Sequence, residues 1–287
     1  MKGALLVNLG SPDSTKVKDV KKYLDQFLMD KRVIDTPYLL RAFIVKGIIL
    51  NTRPKKSAAA YKKIWWDEGS PLIVLSKRLH KKVAKECNIP VELAMRYGKP
   101  SIEAGIYNLV QKGVNEIFLI PLYPQFAMAT TETIEVEAAK IVKKNFPEVS
   151  IQNFASFYNQ ENYIDALSKS IQTEIDQNKP EHLLFSYHGV PERHIRKSDI
   201  TKSHCKIDGS CCNTPSPAHE FCYRHQCYET TKLVAKKLNL PSDFYSTSFQ
   251  SRLGRDPWLQ PYTDKTIDAL AINGVKNLAV VTPAFVS

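Results

Sequence analysis

Leu183-Leu184-Phe185-Ser186-Tyr187-His188-Gly189-Val190-Pro191 begins as an apolar run and breaks at once into a turn carrying one imidazole. It reads as a buried strand that ends at His188. An earlier stretch has the same plan: in Leu5-Leu6-Val7-Asn8-Leu9-Gly10-Ser11-Pro12, the pair Asn8-Leu9 stands where Tyr187-His188 stands later. A second pair of runs follows in the same order, Gly113-Val114-Asn115-Glu116-Ile117-Phe118-Leu119-Ile120-Pro121 and Gly274-Val275-Lys276-Asn277-Leu278-Ala279-Val280-Val281-Thr282-Pro283. Copies so far apart do not make a solenoid. They predict two similar α/β domains, a pseudo-two-fold repeat within one chain.

Each copy reads as strand, turn, helix, strand. After the first turn, Val17, Val20, Tyr23, Leu24 and Phe27 recur at helical spacing and predict a helix over 16–27, which Asp13 or Ser14 can cap. Its counterpart is predicted over 226–238 and is ended by Asn239-Leu240-Pro241. In the first copy a strand over 117–123 leads to a long helical pattern over 134–144, whereas the second copy stops at Ser287 just after its strand. That asymmetry predicts a chain truncated at its C-terminus. Short β-rich runs alternating with helical patterns imply parallel sheets flanked by helices. The expected domains are 1–155 and 156–287. Ligands of such sheets collect outside the carboxyl ends of the strands, where His188 is expected; the plainer role for a single histidine there is a hydrogen bond to a neighbouring backbone group.

Composition sets the outer bounds. The 287 residues are 43% hydrophobic and 24% charged, enough for two cores. A net charge of +11 favours anionic partners, but the lysines are scattered without interleaved aromatics, which argues against nucleic acid. No signal peptide opens the chain and no apolar run is long enough to span a bilayer, so a cytoplasmic protein is expected. The segment 38–56 stands out: Tyr38-Leu39-Leu40-Arg41-Ala42-Phe43-Ile44-Val45-Lys46-Gly47-Ile48-Ile49-Leu50 is apolar with isolated cations, and Arg53, Lys55 and Lys56 follow. It is either a core helix or a hydrophobic lip able to touch a membrane surface.

Five of the six cysteines, Cys205, Cys211, Cys212, Cys222 and Cys227, crowd into an insertion over 198–227 that has no counterpart in the first copy. His204, His219 and His225 lie among them. Crowding of this kind in a cytosolic chain points to metal rather than disulfides. The spacings lack the paired C-x2-C knuckles of zinc ribbons, and four thiolates in an irregular loop suit an iron–sulfur cluster. Cys205, Cys222 and Cys227 are the expected ligands, with Cys211 or Cys212 as the fourth; structural zinc and reduced or redox-active thiols are the alternatives.

These residues carry a resemblance that covers nearly the whole chain. Phe185-Ser186-Tyr187-His188-Gly189-Val190-Pro191 resembles the histidine motif of ferrochelatases, and Gln250-Ser251-Arg252-Leu253-Gly254-Arg255-Asp256-Pro257-Trp258-Leu259-Gln260-Pro261-Tyr262-Thr263-Asp264 resembles their other long signature. Shorter matches keep the family's order: Asn8-Leu9-Gly10-Ser11-Pro12, 61–64 with Gly69-Ser70-Pro71, Met95-Arg96-Tyr97, and Tyr123-Pro124-Gln125 with Thr130-Thr131. The resemblance implies insertion of ferrous iron into a porphyrin, protoporphyrin IX foremost, to make haem in a cleft between two Rossmann-like domains. His188 would accept a pyrrole proton or hand over the iron. Tyr61, Ser70, Arg96, Tyr123 and Thr130 would bind substrate, Trp258 would offer a flat wall to the macrocycle, and a [2Fe-2S] cluster would occupy the cysteine insertion. It also implies an acidic helix facing the histidine after the Ala284-Phe285-Val286-Ser287 match, where this chain ends. Leu9 stands where some relatives place a tyrosine or methionine near the metal route.

Rival readings are fewer. Gly10 and Gly189 stand without a G-x-G-x-x-G or G-x4-G-K-[ST] pattern, which argues against nucleotide binding. A non-catalytic porphyrin-, haem- or cluster-binding fragment is the alternative if the missing segment is essential. A relative inserting cobalt or nickel would share the fold and a histidine.

Overall fold

The computed structural model describes residues 1–206, 208–252, 254 and 256–286. Leu253 and Arg255 of the long signature, and Ser287 of the final match, lie outside the described residues. The chain divides into two units, Met1–Leu122 with Met128–Ala155, and Tyr123–Ala127 with Ser156–Val286.

The first unit is built on four parallel strands, β1 (Lys2–Gly10), β2 (Val91–Tyr97), β3 (Glu116–Pro121) and β4 (Ser150–Asn153), in the order β2-β1-β3-β4. Gly3 to Asn8 are buried without alternation, as expected for a strand covered on both faces. β1 ends at Gly10, whose φ of 105° and close approach to the Tyr97 carbonyl admit no side chain. The helix after that turn, α1 (Val17–Leu28), buries Val20, Tyr23 and Leu28. Two details differ from the periodic reading. Val17 is exposed, because as the first helical residue it lines a surface hollow of about 350 Å³ with Lys16, Lys55, Ala58 and Lys62. Lys16 is the cap, and Ser14 acts one step earlier: its hydroxyl takes the Lys16 N–H at 3.1 Å and donates to Asp19 at 2.5 Å.

The apolar segment is partly buried and partly exposed. A helix over Tyr38–Ala42 widens into π-type turns over Phe43–Ile49 and closes with Leu50–Thr52. Val45 and Leu50 are buried with Leu28, whereas Tyr38, Leu39, Phe43 and Ile48 are exposed, Leu39 by 82%. The helices α2 (Pro54–Ile64), α3 (Pro71–Glu86), α4 (Ile102–Gln111) and α5 (Thr133–Asn145) complete this unit.

In the second unit, β5 (His182–His188) lies between β6 (Tyr245–Gln250) and β7 (Leu278–Val281), all parallel. As in the first sheet, the earliest strand is flanked by the next two, the arrangement that opens a crevice at its carboxyl end. His182 through Tyr187 are buried, and His188 is the first exposed residue. Ile164 and Ile171 of α6 (Glu161–Asn178) and Cys227 and Val234 of α8 (Tyr223–Lys237) pack against Phe185, Tyr187 and Phe249. The short α7 (Glu192–Ser198) follows the His188 turn, and α9 (Thr263–Ile272) follows β6. α8 starts three residues earlier than periodicity indicates, because Cys222 rather than an apolar residue forms its cap. No helix among the described residues is long and apolar enough to cross a membrane.

Candidate functional site

β5 carries His188 to the end of the sheet, opposite Gln250 in register. The turn beyond it is tied to the long 250–264 signature through the backbone: Gly189 N–H donates to Gln250 O at 2.6 Å, Leu259 N–H to Val190 O and Glu192 N–H to Pro257 O at 3.0 Å. Gly189 permits this approach, since a Cβ there would lie 3.0 Å from the Ser251 carbonyl oxygen and 3.1 Å from that of Gln250. An Arg193–Asp256 ion pair joins the same two segments. The consequence is that the Trp258 ring stands 6.4 Å from the His188 ring, centroid to centroid, at 56°.

His188 Nδ1 lies 2.7 Å from the Gly189 carbonyl oxygen. A carbonyl only accepts, so Nδ1 carries the hydrogen and, in the neutral ring, Nε2 is the basic nitrogen. The ring reaches solvent, yet the protein packed around it desolvates it and lowers its pKa below the ordinary 6.5; the Gly189 carbonyl pulls more weakly the other way. Histidine is therefore neutral at neutral pH, with one nitrogen fixed as donor and one open as base. Ser186, two residues back, shares Thr263 Oγ1 with Ser248, at 2.9 and 2.8 Å, and this fastens the strand ends to α9.

The other candidates are divided between the two units. Tyr61, Ser70, Arg96 and Thr130 belong to the first unit; Tyr123, His188, Trp258 and the cysteines belong to the second. Tyr61 packs edge-on against Tyr23 and Trp65, and burial raises its pKa. Ser70 is buried at the cap of α3. Thr130 lies in the π-type turn Met128–Glu132, and Tyr123 is half-buried just after β3.

Arg96 is engaged more deeply than its sequence suggests. Its Nη2 donates to Asp30 at 2.6 Å and its Nε to the Thr133 hydroxyl at 2.8 Å, and the guanidinium lies 4.5 Å over the Tyr97 ring. Asp30 also accepts from Tyr97 at 3.0 Å and from Thr133 at 2.5 Å. Burial works to raise the Asp30 pKa, but the Thr133 hydroxyl, the Arg32 N–H, Arg96 and Tyr97 together hold it below the usual carboxylate value. Asp30 was invisible to the sequence reading, being 66 residues from Arg96.

Spacing alone did not sort the thiols of the insertion. Cys205, Cys211, Cys212 and Cys222 lie close enough to act on one another's charge. Cys222 and Arg224, close by, pull the Cys212 pKa down despite burial. Cys211 Sγ accepts from Lys206 N–H at 3.2 Å and from Arg224 at 3.5 Å. Cys227, on α8, is fully buried among Tyr163, Tyr187 and Tyr223 with Cys212 also acting on it, and burial drives its pKa well up. The histidines hold the loop: His204 and His219 Nε2 lie 3.0 and 3.2 Å from the Cys211 carbonyl, and His225 Nδ1 lies 2.9 Å from that of Cys212.

Among the described residues, no three His, Cys, Asp or Glu side chains are set to hold one metal ion. A two-iron cluster makes a different demand, two thiolates at each iron, and is favoured by N–H and guanidinium donors near sulfur. The Lys206 N–H and Arg224, both donating to Cys211 Sγ, are donors of that kind.

A family model described as ferrochelatase matches residues 1–287. A ferrochelatase of Pseudomonas syringae pv. tomato is 49% identical over 284 residues, covering 99% of this chain and 83% of the relative. One of Pseudomonas fluorescens (strain Pf0-1) is 50% identical over 285 residues, with the same shares. Among solved structures, SirB from Bacillus subtilis with Fe3+ superposes with a TM-score of 0.50 at 13% identity, over 98% of this chain and 75% of that one, a likeness of fold.

Proposed function

The chain belongs to the ferrochelatase family and is an enzyme that inserts ferrous iron into a porphyrin to make haem; within that reaction, we propose that His188 is the proton acceptor. Metallation replaces two pyrrole N–H bonds with bonds to Fe²⁺ and releases two protons. Neutral His188 takes the first at Nε2, the Gly189 carbonyl supports the imidazolium through Nδ1–H, and the open edge of the ring passes the proton to water before the second is taken. The observation that carries this reading is the 2.7 Å bond from Nδ1 to Gly189, which fixes the base on the other nitrogen. His188→Ala should slow turnover about 100-fold or more; if instead it only raised the KM for iron, His188 would be handing over the metal.

Trp258, held near His188 by the 250–264 segment, is the flat wall for the macrocycle. A ring held bent presents its nitrogens to base and metal, and such binding speeds the step only if the bent form is favoured over the flat one. With Arg96 tied to Asp30, the donors among the remaining candidates, Tyr61, Ser70, Tyr123 and Thr130, are uncharged hydroxyls. Protoporphyrin IX is the porphyrin in this reading, its two carboxylates taken by hydroxyl donors of this kind.

Cys205, Cys211, Cys212 and Cys222 are the ligands in our reading of the insertion, with Arg224 and the Lys206 N–H balancing their charge. A [2Fe-2S] cluster bound there would supply a covalent staple and one-electron redox chemistry. All six cysteines are free, in keeping with a cytoplasmic location. The exposed side chains Leu39, Phe43 and Ile48, beside Lys46, Arg53, Lys55 and Lys56, support peripheral contact with an anionic membrane surface.

A further inference from the structure

We propose that Tyr223 is a positioning residue for His188 and the route by which the cysteine insertion acts on it. The inference rests on the reading of His188 as the base.

The end of β5 is held unevenly. β6 pairs with it through His188, but β7 stops pairing at Phe185, three residues short of the histidine. The buried Tyr223 hydroxyl donates to the His188 carbonyl oxygen at 2.8 Å. Together with the Gly189 N–H bond to Gln250, it holds both polar groups of the His188–Gly189 peptide, directly after the His188 Cα, and thereby sets where the imidazole sits.

The same helical turn is bound to the thiols. Cys222, immediately before Tyr223, lies near Cys212, and Arg224, immediately after it, donates to the Lys206 carbonyl and to Cys211 Sγ. Three consecutive residues thus reach the cysteine loop, the catalytic strand and the loop again. A shift of that loop must move the Tyr223 hydroxyl, and through it the His188 peptide.

Tyr163 supplies a matched control. It lies in the same apolar core, and its hydroxyl also donates to a backbone carbonyl, that of Pro283, at 2.7 Å. The experiment compares steady-state porphyrin metallation by Tyr223→Phe, Tyr163→Phe and His188→Ala. Tyr223→Phe should lose about tenfold or more in kcat with an unchanged porphyrin KM, as expected when a reacting group is misplaced rather than removed. Tyr163→Phe should keep the parent kcat. Equal kcat for the two phenylalanine variants, with His188→Ala strongly slowed, would overturn the Tyr223 role and leave the His188 reading standing. Parent-like turnover by His188→Ala would remove both. For the route, Cys222→Ser should lower kcat in the parent and add little to Tyr223→Phe; losses that multiply would show the loop acting elsewhere.

Discussion

Asp30 and Arg96 form a buried pair, 2.6 Å apart, in which the carboxylate also takes hydroxyls from Tyr97 and Thr133. Removing the charge should strand Arg96 at a site only 16% exposed. Asp30→Ala is expected to cost about 3 kcal/mol, read as a lower urea midpoint. An unchanged midpoint would contradict the pairing. The pH dependence has a definite sign. The folded pKa of Asp30 is lowered, so its contribution is present above the unfolded value of 3.8 and disappears as pH falls through the folded value. The parent and the variant should therefore converge in stability at strongly acid pH.

Activity should follow the protonation of His188. Desolvation lowers its pKa, so the free base persists below pH 6.5, and the acid limb of kcat/KM should lie below that value. A limb at or above 6.5 would mean that another group is being titrated.

The thiols should separate on iron content. Replacing Cys205, Cys211, Cys212 or Cys222 with Ser is expected to remove iron and acid-labile sulfide together, whereas Cys227→Ala should retain both. Cys227→Ala should cost about 1–2 kcal/mol of stability from lost packing in the core. Loss of the cluster from Cys227→Ala alone would reverse the assignment.

Membrane contact, if it runs through the exposed lip, should be lost on charging it. Leu39→Asp with Phe43→Asp is expected to abolish flotation with anionic vesicles, at little cost to stability because both side chains are largely exposed. Undiminished flotation would place the contact elsewhere.

The strand that ends at His188, the earlier strand that echoes it, the helix after the first turn and α8 were legible in the sequence, the strands because a parallel strand buried on both faces leaves an uninterrupted apolar run. What escaped was long-range polar pairing. Arg96 reads as a free guanidinium until Asp30 is brought to it, and Tyr223 reads as one more core aromatic until its hydroxyl meets the His188 carbonyl. Cysteine spacing likewise says nothing of direction: Cys222 caps α8 and faces Cys212, while Cys227, little more than one turn later, faces the core.

The central claim is that His188 is the base of iron insertion. Anaerobic metallation of protoporphyrin by the parent and by His188→Ala, followed as loss of free-porphyrin fluorescence after adding Fe²⁺, tests it most directly. The account predicts that the variant still binds porphyrin but turns over about 100-fold more slowly or less. Porphyrin metallated by the variant at the parent rate would contradict it.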